Sequence, residues 1–177
     1  MALINILSLL QENGLFDRQL QLARGAYLLK AGSSDNHIYY IESGTVSVYI
    51  LDEDEPRILR FGYPGDIIVA LDSLLSGQPT GFTIQALKKT RIRRVPYAAF
   101  KNLLRQEPEF QLLWISLLED LVLQQIEREK DLLIQSPLTR YQRVLKRSPR
   151  LFQEIPHKYI ASYLRMSPET LSRLQKS

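Results

Sequence analysis

His157-Lys-Tyr-Ile-Ala-Ser-Tyr-Leu-Arg-Met-Ser-Pro-Glu-Thr-Leu-Ser-Arg-Leu-Gln-Lys-Ser177 closes the chain and decides its reading. The stretch predicts a helix, a sharp turn and a second helix. The first runs from about Pro156 to Leu164 and turns Ile160, Ala161 and Leu164 inward. A proline at the first helical position costs nothing, because that N–H has no intrahelical acceptor anyway. Ala161 is small where two helices must approach closely. Arg165-Met166 turns the chain. Ser167 then offers an N-cap oxygen, Pro168 suits the first helical position, and Glu169 complements the helix dipole. Leu171 and Leu174 bury one face of the second helix, which leaves Ser167, Glu169, Thr170, Arg173 and Lys176 outside. That is the pattern of a helix-turn-helix, whose second helix enters the major groove of DNA.

Charge coincides with this motif. The chain carries 23 Lys and Arg against 19 Asp and Glu, a net +4. Residues 136–177 hold 9 of the cations and 2 of the anions, a net +7, so residues 1–135 carry −3. A basic module on a mildly acidic body is the footprint of a phosphate-backbone binder.

The 177 residues are enough for a substantial core, as one domain or two small ones. The absence of cysteine removes disulfides, thiolate nucleophiles and cysteine-ligated metals. The start, Met1 to Leu10, lacks the basic n-region and cleavage site of a signal peptide and has the spacing of a short amphipathic helix. No apolar run is long enough to span a bilayer. A cytoplasmic protein with no membrane partner is expected. The two histidines, His37 and His157, fall in different segments, so the metal cluster of a cupin-type enzyme is not available. No Ser-His-Asp or phosphate-loop spacing appears, and neither a catalytic residue nor a metal site is assigned. Asp52 to Glu55 reads as a solvated hairpin tip rather than a calcium loop.

From about Gly25 to Val95 the pattern is strand and turn. Ala26–Lys30, His37–Leu51, Arg57–Tyr63, Phe82–Leu87 and Thr90–Val95 are strand-like, with turns at Ser43-Gly44 and Pro64-Gly65-Asp66. Short strands with closely spaced turns predict a sandwich or jelly-roll barrel. A short helix follows over Tyr97–Arg105. Glu109–Gln135 contains no Gly or Pro and predicts a rod of roughly 40 Å. Its first half is apolar on several sides and must be covered more than once. The roll can cover one side, and a second copy of the chain is the simplest cover for the other. Phe110, Trp114, Leu117, Leu118, Leu121 and Val122 are therefore the expected dimer interface. Ser136-Pro137 ends the rod, and a further helix from Leu138 completes a three-helix core with the closing pair.

A β-roll, a long helix and a closing helix-turn-helix, in that order, resemble the Crp/Fnr family of bacterial transcription regulators. Gly25, Gly32, Ile41, Gly44, Val46 and Val48 fall where that family's cyclic-nucleotide-binding roll has its glycines and core residues. Pro64-Gly65-Asp66-Ile67 is similar to the segment before the family's phosphate-binding cassette, and Pro79-Thr80-Gly81-Phe82 to the cassette's end. The resemblance implies an α+β chain of three parts. An N-terminal double-stranded β-helix, or jelly roll, of the cyclic-nucleotide-binding type occupies 1–107. A dimerisation helix spans 108–135, and a winged helix-turn-helix domain with a reduced wing spans 136–177. Ser148–Ile155 is too short for the usual hairpin wing and is expected as a loop.

The implied function is transcription regulation, with a homodimer on palindromic promoter DNA and RNA polymerase as a further partner. By resemblance Glu169 and Arg173 contact bases, while Lys158, Arg165 and Lys176 are expected on phosphates. Gly65, Asp66, Ile67, Thr80, Gly81 and Phe82 would line an effector pocket. The family's arginine for the cyclic phosphate is replaced by Thr80, and its glutamate by the shorter Asp66. Cyclic AMP is therefore not the expected ligand, and no cofactor is assigned. Arg165 stands where such turns often place glycine, which predicts local strain. The alternative reading is an effector-sensing or protein-interaction module that keeps the roll and long helix without binding DNA.

Overall fold

The computed structural model describes residues 2–176, with side chains from Ile6 onward. Met1 and Ser177, which the sequence reading includes in its terminal segments, lie outside the described residues. The chain divides into two compact units. One runs up to Leu51 and resumes over Leu59–Leu117. The other takes Asp52–Ile58 and everything from Leu118 onward. The helix expected as a segment of its own over 108–135 is thus shared between them. Its first half packs with the first unit, and its second half belongs with the second.

The first unit opens with α1 (Ala2–Glu12), followed by β1 (Arg18–Leu22), β2 (Tyr27–Leu29), β3 (His37–Ser43) and β4 (Val46–Asp52). Then come β5 (Glu55–Gly62), β6 (Ile67–Ile68), α2 (Leu71–Ser76), β7 (Thr83–Ala86), β8 (Thr90–Pro96) and α3 (Tyr97–Gln106). The strands form two four-stranded sheets, ordered β1-β8-β3-β6 and β2-β7-β4-β5. Every pairing of known register is antiparallel, and non-sequential neighbours within both sheets mark a jelly roll. β8 is central to one sheet, since it pairs with β1 from Arg18↔Arg94 to Leu22↔Thr90 and with β3 from His37↔Pro96 onward. Inward side chains from both sheets, among them Ile41, Val46, Ile84 and Ile92, form one core cluster. A second cluster gathers Ile6, Leu10, Ile38, Val95 and Phe100 under α1 and α3.

Three elements of this unit were not legible in the sequence, among them β6, only two residues long. β1 escaped notice because Arg18-Gln-Leu-Gln-Leu is short and mostly exposed. α2 is six residues ended by Gly77 in the left-handed conformation, too short for a helical period to emerge.

α4 (Pro108–Leu133) carries the chain into the second unit, which continues with α5 (Pro137–Arg147), α6 (Pro149–Glu154), α7 (His157–Tyr163) and α8 (Pro168–Lys176). Ser136 caps α5 by accepting the Thr139 N–H at 3.3 Å, and Pro137 is its first residue. The segment expected as a loop in place of a wing is instead α6. Pro149 starts it, and Leu151 and Ile155, four apart, are both buried. Four helices therefore build this part rather than three. Val144, Leu151, Ile155, Ile160, Ala161, Leu164 and Leu171 are its buried apolar residues.

Charge also holds this unit together. Asp131 is fully buried and its carboxylate lies 2.8 Å from Arg143 Nε and 2.5 Å from Arg147 Nη2. Glu127 pairs with Lys130 and with Arg143. The turn segment Asp52–Ile58 belongs here too: Ser162 Oγ donates to the Pro56 carbonyl at 3.1 Å. The buried Arg128 donates through Nη2 to the Tyr163 carbonyl at 2.5 Å and lies 3.6 Å from the centroid of the Tyr163 ring.

Two outcomes are expected for the roll. Gly44 has φ +91°, and a Cβ there would lie 2.4 Å from Thr90 Oγ1 and 2.5 Å from the Lys89 carbonyl oxygen. Gly44→Ala should therefore cost about 1–3 kcal/mol, read as a lowered midpoint in urea unfolding. The bidentate hydrogen bond from Arg94 (2.7 and 3.1 Å) holds the Asp17 carboxyl below the usual carboxylate range. A lowered native pKa contributes stability above the unfolded value, and that contribution fades as pH falls through the native one. Asp17→Asn should thus lower stability at pH 7 and flatten its loss in acid, measured by urea unfolding from pH 7 down to pH 3.

Candidate functional site

In the roll, the residues expected around an effector fall on two turns, Gly65 to Ile67 and Thr80 to Phe82. Asp66 turns back on its own turn, where its carboxylate accepts the Tyr63 N–H at 2.9 Å. Gly65 (φ +95°) donates its N–H to the Ile41 carbonyl, and Ile67 lies in β6. Thr80 is buried at 2 % exposure and is held from both sides by the loop after β2. Its N–H donates to the Ser33 carbonyl, and the Gly32 N–H donates to its own carbonyl. Its hydroxyl accepts the Phe82 N–H at 3.0 Å and donates to the Asp72 carboxylate, whose two oxygens lie at 2.8 and 3.0 Å. Gly81, exposed, donates its N–H to Asp72 Oδ2 at 2.8 Å.

Thr80 and Gly81 thus form a small anion-holding turn, and the anion is a carboxylate from the first turn of α2. The Thr80 hydroxyl and the Gly81 N–H are engaged by this carboxylate, and a second anion placed about 4 Å from Asp72 would be repelled by ~4 kcal/mol at an effective dielectric of 20. Among the described residues no cation pairs with Asp72 to offset that repulsion. Asp72 was missed in the sequence because it is eight residues from Thr80 and only the fold brings the two together.

In the second unit, Ile160 and Ala161 of α7 are buried with Leu164, which caps its end. Pro156 is the N-cap of α7, not its first residue as expected. Arg165 has φ +50°, so the turn carries a non-glycine residue in the left-handed region, as its sequence position predicts. Its carbonyl accepts from Arg140 Nη2 at 3.3 Å, which ties the turn to α5. Ser167 Oγ accepts the Thr170 N–H at 3.2 Å. The backbone N–H of Glu169 itself and, next, the Ser167 hydroxyl hold the Glu169 carboxyl below its ordinary value.

Leu171 is fully buried, while Glu169, Arg173 and Lys176 recur at i, i+4 and i+7 on the exposed side of α8. Thr170 is half-buried and lies 3.5 Å from Arg173 Nη2. Lys158 is exposed near the start of α7, with its ammonium 4.7 Å from the Tyr159 ring centroid. The structure therefore brings Ser167, Glu169, Thr170, Arg173 and Lys176 onto one helix and places Arg165 in the turn before it. The basic field is smaller than the sequence count. Arg143 and Arg147 neutralise acids of α4, and Arg150 pairs with Glu154 at 2.5 Å. Lys146, Lys158, Arg165, Arg173 and Lys176 stand outside these ion pairs.

α4 presents two apolar faces. Phe110, Trp114 and Leu117, expected in a dimer interface, pack instead with Leu113 on the second cluster of the roll. Trp114 meets Phe100 edge to face, ring centroids 5.1 Å apart. Leu118 and Leu121 are half-buried, and Val122 is exposed. The opposite stripe is Leu112, Ile115, Val122, Ile126 and Leu133, all exposed, with Glu119 and Glu129 completing a spacing of three and four. No helix among the described residues is long and apolar enough to cross a membrane.

Comparison with known proteins agrees with this fold. The family profile described as Cyclic nucleotide-binding domain matches residues 19–107, half of the chain. The Anaerobic regulatory protein of Haemophilus influenzae is 31% identical over 102 residues, which cover 57% of this chain and 39% of that protein. Neuropathy target esterase sws of Drosophila willistoni is 31% identical over 100 residues, 52% of this chain but 7% of the esterase. The chain therefore spans well under half the length of these curated relatives. Among solved structures, a CooA variant from Carboxydothermus hydrogenoformans superposes with TM-score 0.75 at 22% identity, covering 94% of this chain and 77% of CooA. FixK2 from Bradyrhizobium japonicum does so with TM-score 0.75 at 20% identity, covering 90% and 82%. With a jelly roll matched in sequence and a fold shared with CooA and FixK2, the chain belongs to the cyclic nucleotide-binding domain family.

Proposed function

We propose that the chain is a transcription regulator of the Crp/Fnr type, which binds two-fold symmetric promoter DNA as a homodimer and is cytoplasmic. The observation that carries this reading is the exposed face of α8. Glu169, Arg173 and Lys176 project from a helix whose opposite residue, Leu171, is locked in the core. A helix held from behind and polar in front is what major-groove readout requires. Arg173 has the fork geometry to donate to guanine O6 and N7, and Glu169 can accept from cytosine N4. Lys158, Arg165 and Lys176 neutralise phosphates at the edges. In a symmetric dimer the two α8 helices would read half-sites ~34 Å apart, one turn of DNA. RNA polymerase is the partner such a regulator would recruit or block. No catalytic step belongs to this reading. A protein-interaction module without DNA affinity is the competing reading, and the salt dependence below separates the two.

The second copy is assigned to the exposed stripe of α4. Leu112, Ile115, Val122, Ile126 and Leu133 form a seam with coiled-coil spacing, while the residues on the other face already have partners in the roll.

Arg173→Ala should weaken specific binding by ~1–3 kcal/mol and relax one base position, whereas Lys158→Ala should weaken binding to all sequences and reduce the salt slope by about 1 per protomer. Fluorescence anisotropy with duplex DNA across a salt series measures both. Ile126→Asp should convert the dimer to monomer in analytical ultracentrifugation while leaving the circular dichroism spectrum intact, because the residue is solvent-exposed in the protomer.

A further inference from the structure

The roll contains an anion site that is filled from within. Thr80 and Gly81 lie on the turn that enters β7, and their hydroxyl and N–H converge on one acceptor group. That acceptor is the Asp72 carboxylate, delivered by α2, the short helix that precedes the turn. The turn is fixed independently of Asp72. Thr80 is anchored through both its N–H and its carbonyl to the loop at Gly32 and Ser33, and its hydroxyl also receives the Phe82 N–H. The donors would therefore keep their direction without the carboxylate. Donors aimed at one point and fixed by other bonds constitute a site for an oxyanion, and here the oxyanion belongs to the chain.

We propose that Asp72 acts as a ligand in cis, which closes the roll to cyclic nucleotides and to other phosphate-bearing effectors. The family name implies a ligand that this chain's own residues exclude. The exclusion has two separable parts. Asp72 supplies a negative charge where the incoming phosphate would place its own, and Thr80 supplies a hydroxyl where a guanidinium would be needed to hold it. Removing the charge alone lifts the repulsion while an acceptor oxygen stays on the donors. Adding the guanidinium as well should create a site with a bidentate partner. The inference does not depend on DNA binding, because it concerns the roll alone.

The test is isothermal titration calorimetry of the full chain with cyclic AMP, cyclic GMP and inorganic phosphate. The native protein, Asp72→Asn and the double variant Asp72→Asn with Thr80→Arg are compared. Asparagine keeps the shape and one acceptor oxygen for Thr80 and Gly81, so the turn should stay folded, and circular dichroism with thermal melting verifies it. The native protein is expected to bind none of the three at millimolar concentration. The double variant is expected to bind cyclic nucleotide at least ~10-fold more tightly, which corresponds to ~1.4 kcal/mol. Micromolar binding of cyclic AMP or cyclic GMP by the native protein would overturn the proposal. So would a folded double variant that gains no affinity for any of the three probes, since Asp72 and Thr80 would then not be what excludes the phosphate.

Discussion

Burial of Leu164 and Leu171 on either side of one tight turn is the constraint on which the second unit depends. Both side chains are completely removed from solvent. Leu164 closes α7, Leu171 sits in the first full turn of α8, and only Arg165, Met166 and Ser167 separate α7 with its cap from α8. Satisfying both burials fixes the angle between the helices and forces Arg165 into the left-handed region, at a cost of roughly 1–2 kcal/mol. Burying two leucines is worth more, about 1.5–3 kcal/mol each, so the strain is tolerated. The same geometry leaves Glu169, Arg173 and Lys176 outside. The exposed polar set of α8 is thus a consequence of the core beneath it.

The roll and the long helix show how a family scaffold accommodates divergent chemistry. The jelly roll needs apolar alternation and tight turns, and the turn at Thr80 is held by backbone hydrogen bonds to Gly32 and Ser33. A hydroxyl buried at that position still needs partners, and Asp72 with the Phe82 N–H supplies them. In the second unit, Asp131 is a buried carboxylate that would be strongly destabilising alone; Arg143 and Arg147 neutralise it. Part of the basic charge that marks the C-terminal segment in the sequence is therefore structural. Only the cations outside these pairs contribute to an external electrostatic field.

How far the sequence was legible depended on the range of the interaction. The turn before α8, its Ser167 cap and the inward set Ile160, Ala161 and Leu164 are local features, and the structure places them as the pattern predicts. The jelly roll was legible through its turns and β-branched runs, although β1 was hidden by its polar composition. α4 was legible as a helix but not as to which face is which. Its first half is apolar nearly all round, so Phe110 and Trp114 could not be told from Leu112 and Ile115 before their partners were known. Asp72 and Arg128 act through contacts distant in sequence, and no local signal marks them.

The most direct measurement is a selection from a pool of randomised DNA duplexes with the purified native chain at low salt. The account predicts enrichment of an inverted repeat whose half-sites are one helical turn apart, with a conserved guanine–cytosine pair in each half-site that is lost when the selection is repeated with Arg173→Ala. A native protein that enriches no sequence, and whose retention of duplexes is indifferent to salt, would contradict it.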